Sequence, residues 1–499
     1  MNWKIILKSF KQREMQKRIF AVVGIMLVFR VLAHVPVPIG DAQTLKQILD
    51  NVFSANQSDL LGFMNILSGG ALSNFSIMLA GLMPYINASI IMQLLTKAIP
   101  KIEQLRKDGE TGQKKINQWT RIISFPLAIV QSIGMIYLIR QAAQSIGGVG
   151  DITANAGLSQ WVLMVTVMAA ASMLLMWLGE LATEQSLGNG ISLIITIGIV
   201  AGLPSMIQTS WTEMTSGGDK WVLFGHTLPI NRTYFFVSLG MLIAVIVITW
   251  LVVKINEAQR NLTVNYAKRV QGNRTYGGVT TRLPVKLIGA GVVPIIFAVA
   301  FLSVPSFVGQ LLSGAHSEKL QHLGTNLLNW FQQPTYNSFH YGTGPWWHPF
   351  IYPIVYFLLV FAFTYFYTSI TFNTKEIAEN LQKQGGFIEG VRSGKQTEKY
   401  LSKTMGRLTL FGAIALSLLA ISPIVGQYFV NTNIALGGTS ILILVAVSLE
   451  TLRAVESRAL MITYDQYSRP DFFADLGDDE PSDKPKKHLL RRQKTSAKA

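Results

Sequence analysis

The chain has 499 residues, 49% of them hydrophobic and only 14% charged, with a formal net charge of +16 and no cysteine. Soluble domains carry about 25% charged residues, so the deficit points to a polytopic membrane protein. The missing cysteines exclude disulfide frameworks, thiolate chemistry and Cys-based metal sites.

The elements follow in chain order. Residues 1–18 form a basic N-terminus, and the apolar run from Ile19 to Val35 has no small-residue cleavage site after it, so it reads as a retained first span. Leu60–Asn74 is a short apolar segment broken at Gly69-Gly70, too brief to cross a bilayer, that runs into a segment long enough to do so. Half-length segments of this kind sit inside membrane proteins, shielded from lipid. Spans of crossing length fall at 19–35, 75–95, 121–139, 161–181, 191–208, 234–255, 287–308, 350–372, 408–428 and 434–452. The expectation is an all-α polytopic fold of about ten transmembrane helices. Its halves are 19–208 and 234–452, joined by an external linker at 209–233. The tail 453–499 turns acidic at Asp471–Asp483 and basic at Lys484–Lys498, and reads as disordered after 467.

Charge sets the orientation. Lys and Arg crowd the N-terminus, the loop after the second span, and the loops 254–286 and 373–407, whereas 36–59 holds only Lys46 and 309–349 only Lys319. By the positive-inside rule both termini and the basic loops are cytoplasmic. The short link between the fourth and fifth spans, with Glu180 and Glu184 and no cation, is an exception. Five spans per half means that the halves enter the membrane from opposite sides, which is compatible with an inverted repeat and a site at the repeat interface.

Chemistry is sparse. There is no paired carboxylate, HExxH, GxSxG or Walker loop, and the clearest embedded charge is Arg30. His316, His322, His340 and His348 share an external loop and read as solvated rather than as a metal site. No catalytic residue, metal ligand or cofactor is assigned. Pro84 and Pro294 fall within predicted spans near glycine, where a helix should kink. Leu82 and Ile86, and likewise Ile191 and Ile195, stand four apart and share a helix face; by spacing alone, packing or lipid contact is the default for such residues.

The ordered set GFMNILSGGALSN, MPYINASIIMQLLT, KDGETGQKKINQWTR, MWLGE, GNGIS, VNYAKR, GAGVVPIIFA, FYTSITFN, KYLSKTMGRLTLFGA and GGTSILI resembles the SecY family, the central subunits of the bacterial protein-translocation channel. The resemblance implies two inverted five-helix halves around an hourglass pore. It identifies 60–74 as a plug half-helix, with Leu60, Leu61, Phe63, Met64, Leu67, Gly69 and Gly70. It implies an aliphatic pore ring of Leu82, Ile86, Ile191, Ile195, Ile296 and Ile443. A narrow apolar waist expels water and with it ions. It also offers a passing chain no specific bonds.

The same resemblance implies a lateral gate, where the second and third spans part from the seventh and eighth and Ser89 and Gln93 supply polar contact. It further implies docking of the motor ATPase SecA or the ribosome on the basic loops through Lys268, Arg269, Arg274 and Arg392. Asn273 stands where relatives commonly carry a basic residue. The implied partners are small SecE-like and SecG-like membrane subunits, unfolded preproteins with signal sequences, and the lipid bilayer of the bacterial cytoplasmic membrane. The competing readings are a secondary solute transporter with discontinuous helices and, more weakly, a membrane-embedded enzyme; the absence of buried ionisable pairs counts against both.

Overall fold

The structure is a computed structural model describing residues 12–37, 76–145, 157–215, 220–223, 226–266, 269–271, 274–276, 278, 280–289, 291–313, 317–334, 339–340, 345–429 and 438–466. The plug segment 60–74, Lys268, Asn273 and the tail after 466 lie outside these residues.

The first half comprises α1 (Arg13–Leu32), α2 (Met83–Ala98), the short α3 (Pro100–Lys107), α4 (Glu110–Ser145), α5 (Leu158–Glu184) and α6 (Gly190–Thr215). A hairpin of β1 (Lys220–Leu223) and β2 (His226–Asn231) leads to the second half. There α7 (Arg232–Glu257) is followed by β3 (Gln259–Tyr266), β4 (Arg269–Gln271), β5 (Arg274–Tyr276) and β6 (Thr280–Lys286). Next come α8 (Val293–Ser313), α9 (Glu318–Phe331), α10 (His348–Thr371), α11 (Thr374–Lys383), β7 (Gly386–Ile388), α12 (Lys395–Phe429) and α13 (Gly438–Gln466).

Each of the ten predicted spans overlaps a helix among the described residues. Six helical stretches among the described residues are both long and apolar enough to cross a bilayer. The predicted spans at 19–35, 75–95, 191–208 and 434–452 overlap α1, α2, α6 and α13. In α7 only 6% of the apolar window is buried, so its surface is left to lipid.

The prolines behave differently from expectation. Pro84 and Pro294 are each the second residue of a helix, α2 and α8, and so start helices rather than kink them. Proline suits the first turn, where its missing N–H would have had no intrahelical partner. Gly81 and Gly291, with φ of +56° and +61°, turn the chain just before. The second span therefore begins at Met83, not 75. The preceding turns are held by Ile77 N–H donating to the Val35 carbonyl (2.9 Å) and the Ser172 hydroxyl donating to the Gly81 carbonyl (2.8 Å). Pro126, Pro204, Pro305, Pro353 and Pro423 instead lie inside helices. Arg30 sits in the last turn of α1 rather than amid its apolar run.

Within each half the helices pack on sequence neighbours: α2 on α4, α4 on α5 and α5 on α6, then α8 on α10, α10 on α12 and α12 on α13. The halves meet where α8 packs on α2 and α4, and where α13 packs on α6. One contiguous apolar cluster runs through both, drawing on α1, α2, α5, α6, α8, α10, α12 and α13.

The two basic loops, separate in the sequence, share one sheet of order β6-β3-β7. Val264 pairs with Ile388 and Tyr266 with Gly386. A second apolar cluster, including Leu262, Val264, Val285, Leu381 and Leu401, fastens that sheet to α11 and α12.

Candidate functional site

The GNGIS motif shows how local sequence positions one face of the site. Gly188 takes φ +134° and Asn189 Oδ1 accepts from Ile191 N–H (3.1 Å), capping the new helix. Gly190 lets α6 meet α5: a Cβ there would lie 2.1 Å from the Gly179 carbonyl oxygen. Ile191 and Ile195 follow at once, one turn apart. Leu82 and Ile86 are placed in the same way by the Gly81 turn and the start of α2. Ile296 comes two residues after Pro294 on α8, and Ile443 lies in the second turn of α13.

These residues come from both halves. Leu82, Ile86, Ile195, Ile296 and Ile443 are between 0% and 6% exposed and belong to the same cluster, and the half-buried Ile191 packs against it. The site is thus apolar in substance. Burial of branched aliphatics in such a cluster excludes water without offering a hydrogen bond. Among the described residues no group of three His, Asp or Glu side chains gathers as a metal site would.

Charged side chains tie helices together. Arg121 pairs with Glu180, its Nε donating to Oε1 at 2.9 Å, and ties α4 to α5. Arg453 Nη2 donates to the Asn256 carbonyl (3.1 Å), tying α13 to the end of α7. Burial and the nearby Arg453 push the Lys286 amine below its usual range, with Glu450 opposing.

On α2, Gln93 Nε2 donates to Ser89 Oγ (3.2 Å), so these two predicted residues bond to each other within one helix. The Oε1 atoms of Gln93, Gln131 and Gln310, on α2, α4 and α8, are sealed from solvent and have no hydrogen-bond partner among the described residues. The last two were missed in the sequence; only their place within apolar runs marks them. Arg106 Nη2 on α3 donates to the Ile370 carbonyl at the end of α10 (3.4 Å), across the halves. Arg392 is exposed on the turn after β7, where its carbonyl accepts from the Thr397 hydroxyl (2.9 Å). Arg269 and Arg274 begin the paired strands β4 and β5.

Residues 76–452 match the family model described as SecY. The chain belongs to the SecY family. It is 37% identical over 469 residues to the protein translocase subunit SecY of Streptomyces galbus, covering 93% of this chain and 99% of the relative. A solved structure titled as that of a protein conducting channel has the same fold, with a TM-score of 0.59 at 15% identity, covering 88% of this chain and 91% of that one. Sec61 in the canine ribosome-channel complex is similar at a TM-score of 0.56 and 14% identity, with the same coverage. The SecY motifs read in the sequence thus extend to a match along most of the chain, and it is a multi-pass membrane protein.

Proposed function

We propose that this SecY-family chain is the protein-conducting channel of the bacterial cytoplasmic membrane, with both termini cytoplasmic. It passes unfolded preproteins outward and releases apolar segments sideways into lipid. The observation that carries this reading is the single buried cluster into which both halves send Leu82, Ile86, Ile191, Ile195, Ile296 and Ile443. A waist of this composition closes around any extended chain and holds none of them. A solute transporter needs convergent polar groups at that depth, which the aliphatic cluster does not offer.

The proposal extends to the surroundings. Segment 60–74 is the plug, the seam of α2 and α4 with α8 and α10 is the lateral gate, and Ser89 and Gln93 are polar members of it. The sheet carrying the basic loops is the docking platform for SecA or the ribosome, with Lys268, Arg269, Arg274 and Arg392 as contacts. Small SecE-like and SecG-like subunits complete the assembly. In this reading the driving energy comes from those partners or from the membrane potential.

Crosslinking tests the core of this. The chain has no native cysteine, so single cysteines at Ile86 and at Ile296 are unique probes. Both are expected to crosslink to a stalled, signal-bearing nascent chain, while a cysteine at Leu242, exposed on α7, does not. Failure at both waist positions with an engaged nascent chain would overturn the reading.

A further inference from the structure

Helices α4 and α8 belong to opposite halves and approach each other closely at Gly134. A Cβ built on Gly134 of α4 would stand 1.9 Å from Cζ of Phe307 on α8, with Cε1 at 2.7 Å and Cε2 at 3.0 Å. The ring therefore fills the volume that any side chain at position 134 would need. Gly134 is buried and Phe307 half-buried. Gly24, Gly202 and Gly240 also lie within helices, yet a Cβ on any of them would meet nothing within 4 Å. A glycine inside a helix weakens it, and at 134 the seated ring gives that glycine a physical reason.

The flanks are less well satisfied than the knob. Gln131 lies three residues before Gly134 and Gln310 three residues after Phe307, on the same sides of their helices, and each has a sealed Oε1 without a partner. The ring seated in the notch is thus a close contact of α8 with α4 at this height, and among the described residues the two glutamine oxygens beside it gain no hydrogen bond.

We propose that Phe307, seated against Gly134, is a specificity-determining residue of the lateral exit, setting how apolar a segment must be to part α4 from α8. This rests on the channel reading above. Withdrawing the ring forfeits its contacts on every side of the notch. An incoming segment must replace them by packing against the freed ring. A strongly apolar signal does so readily; a weak one does not, and the seam stays shut.

The test uses the full chain in bacterial cells depleted of their resident homologue, and reads export of one preprotein carrying a weak or a strong signal. Phe307→Ala is expected to raise the weak-to-strong export ratio roughly tenfold. Gly134→Ala, which displaces the ring, shifts it the same way. The double variant returns toward the parent ratio, because the added methyl occupies the vacated space. That non-additivity is the signature of direct contact. If Gly134→Ala fails to insert, Phe307→Leu must give an intermediate ratio. A ratio unchanged in Phe307→Ala, in cells where the parent chain exports both proteins, overturns the proposal. Export of neither protein by the parent chain overturns the channel reading instead.

Discussion

At the scale of single residues, glycines divide into those that face open space and those that another backbone touches. Gly190 belongs to the second kind, since its missing Cβ leaves room for the Gly179 carbonyl, the Ala182 methyl and the Thr183 amide. Gly190→Ala must push α6 off α5, an overpacking cost of about 1–3 kcal/mol, and is expected to lower the amount of inserted protein and its thermal midpoint in detergent. Gly240→Ala, on the lipid-facing α7, meets nothing and is expected to be neutral or stabilising by up to about 1 kcal/mol; equal loss in both would sink the packing account. The waist makes a second residue-level prediction. Ile86→Asn with Ile191→Asn places two amides in a site built to exclude water, each costing about 1–3 kcal/mol if left dry. The constriction is then expected to hydrate, with ion conductance measurable in planar bilayers. A double variant as tight as the parent would count against a water-excluding waist. The family motif made these residues legible where spacing alone left packing as the default: Ile86 and Ile191 each lie within a turn of a proline or glycine at the start of a helix. What they did not reveal was which job the proline does. Pro84 and Pro294 look like kinks when a span is drawn from hydropathy, because hydropathy cannot say where the first helical hydrogen bond forms. The positive φ at Gly81 and Gly291 decides it.

At the scale of elements, the spanning helices were readable because each overlaps an apolar run of crossing length, whereas the short helices α3, α9 and α11 and the sheet were not. Strand β7 has three residues, and it pairs with β3 more than a hundred residues earlier, so neither loop alone carries the signal. The pairing makes the two basic loops one body. Val264 and Ile388 lie opposite each other and are both buried, and directly opposed Cβ atoms stand about 4.5–5.5 Å apart. In this cysteine-free chain, Val264→Cys with Ile388→Cys is expected to form a disulfide on mild oxidation, seen as a mobility shift that reductant reverses. No crosslink would mean that the loops move independently. The exposed Arg392 lies on the turn four residues after the end of β7, beside this shared body. Arg392→Glu is expected to reduce ATPase-driven export about tenfold while the engineered disulfide still forms, which separates lost docking from lost fold. Export at the parent rate would remove Arg392 from the docking surface.

At the scale of the whole molecule, parity and charge announced two halves, but nothing in either half's sequence says how they hold together. The answer lies in contacts between residues far apart in the chain. Edge-to-face rings lock α8 to α10, with Phe297 to Phe363 at 6.1 Å and to Tyr367 at 6.4 Å between centroids, so these two helices of the second half form one unit. On the other side α2 packs on α4. Between the two units, the reach of Arg106 to the Ile370 carbonyl bridges α3 and the final turn of α10, where a helix favours positive charge. At 3.4 Å this is a long bond, and a partly exposed charge-assisted contact of that kind contributes about 1 kcal/mol. A weak clasp suits the proposed opening of this seam. Arg106→Ala should therefore leave the fold intact and raise the open population roughly fivefold. Spin labels on cysteines at Lys101 and Thr371, both exposed near the clasp, report the separation of α3 from α10 directly. The parent is expected to give one short distance in lipid, and the variant a second, longer population. An identical distance distribution in both would show that the halves are held without Arg106, and that their closure rests on the apolar contacts of α8 with α2 and α4.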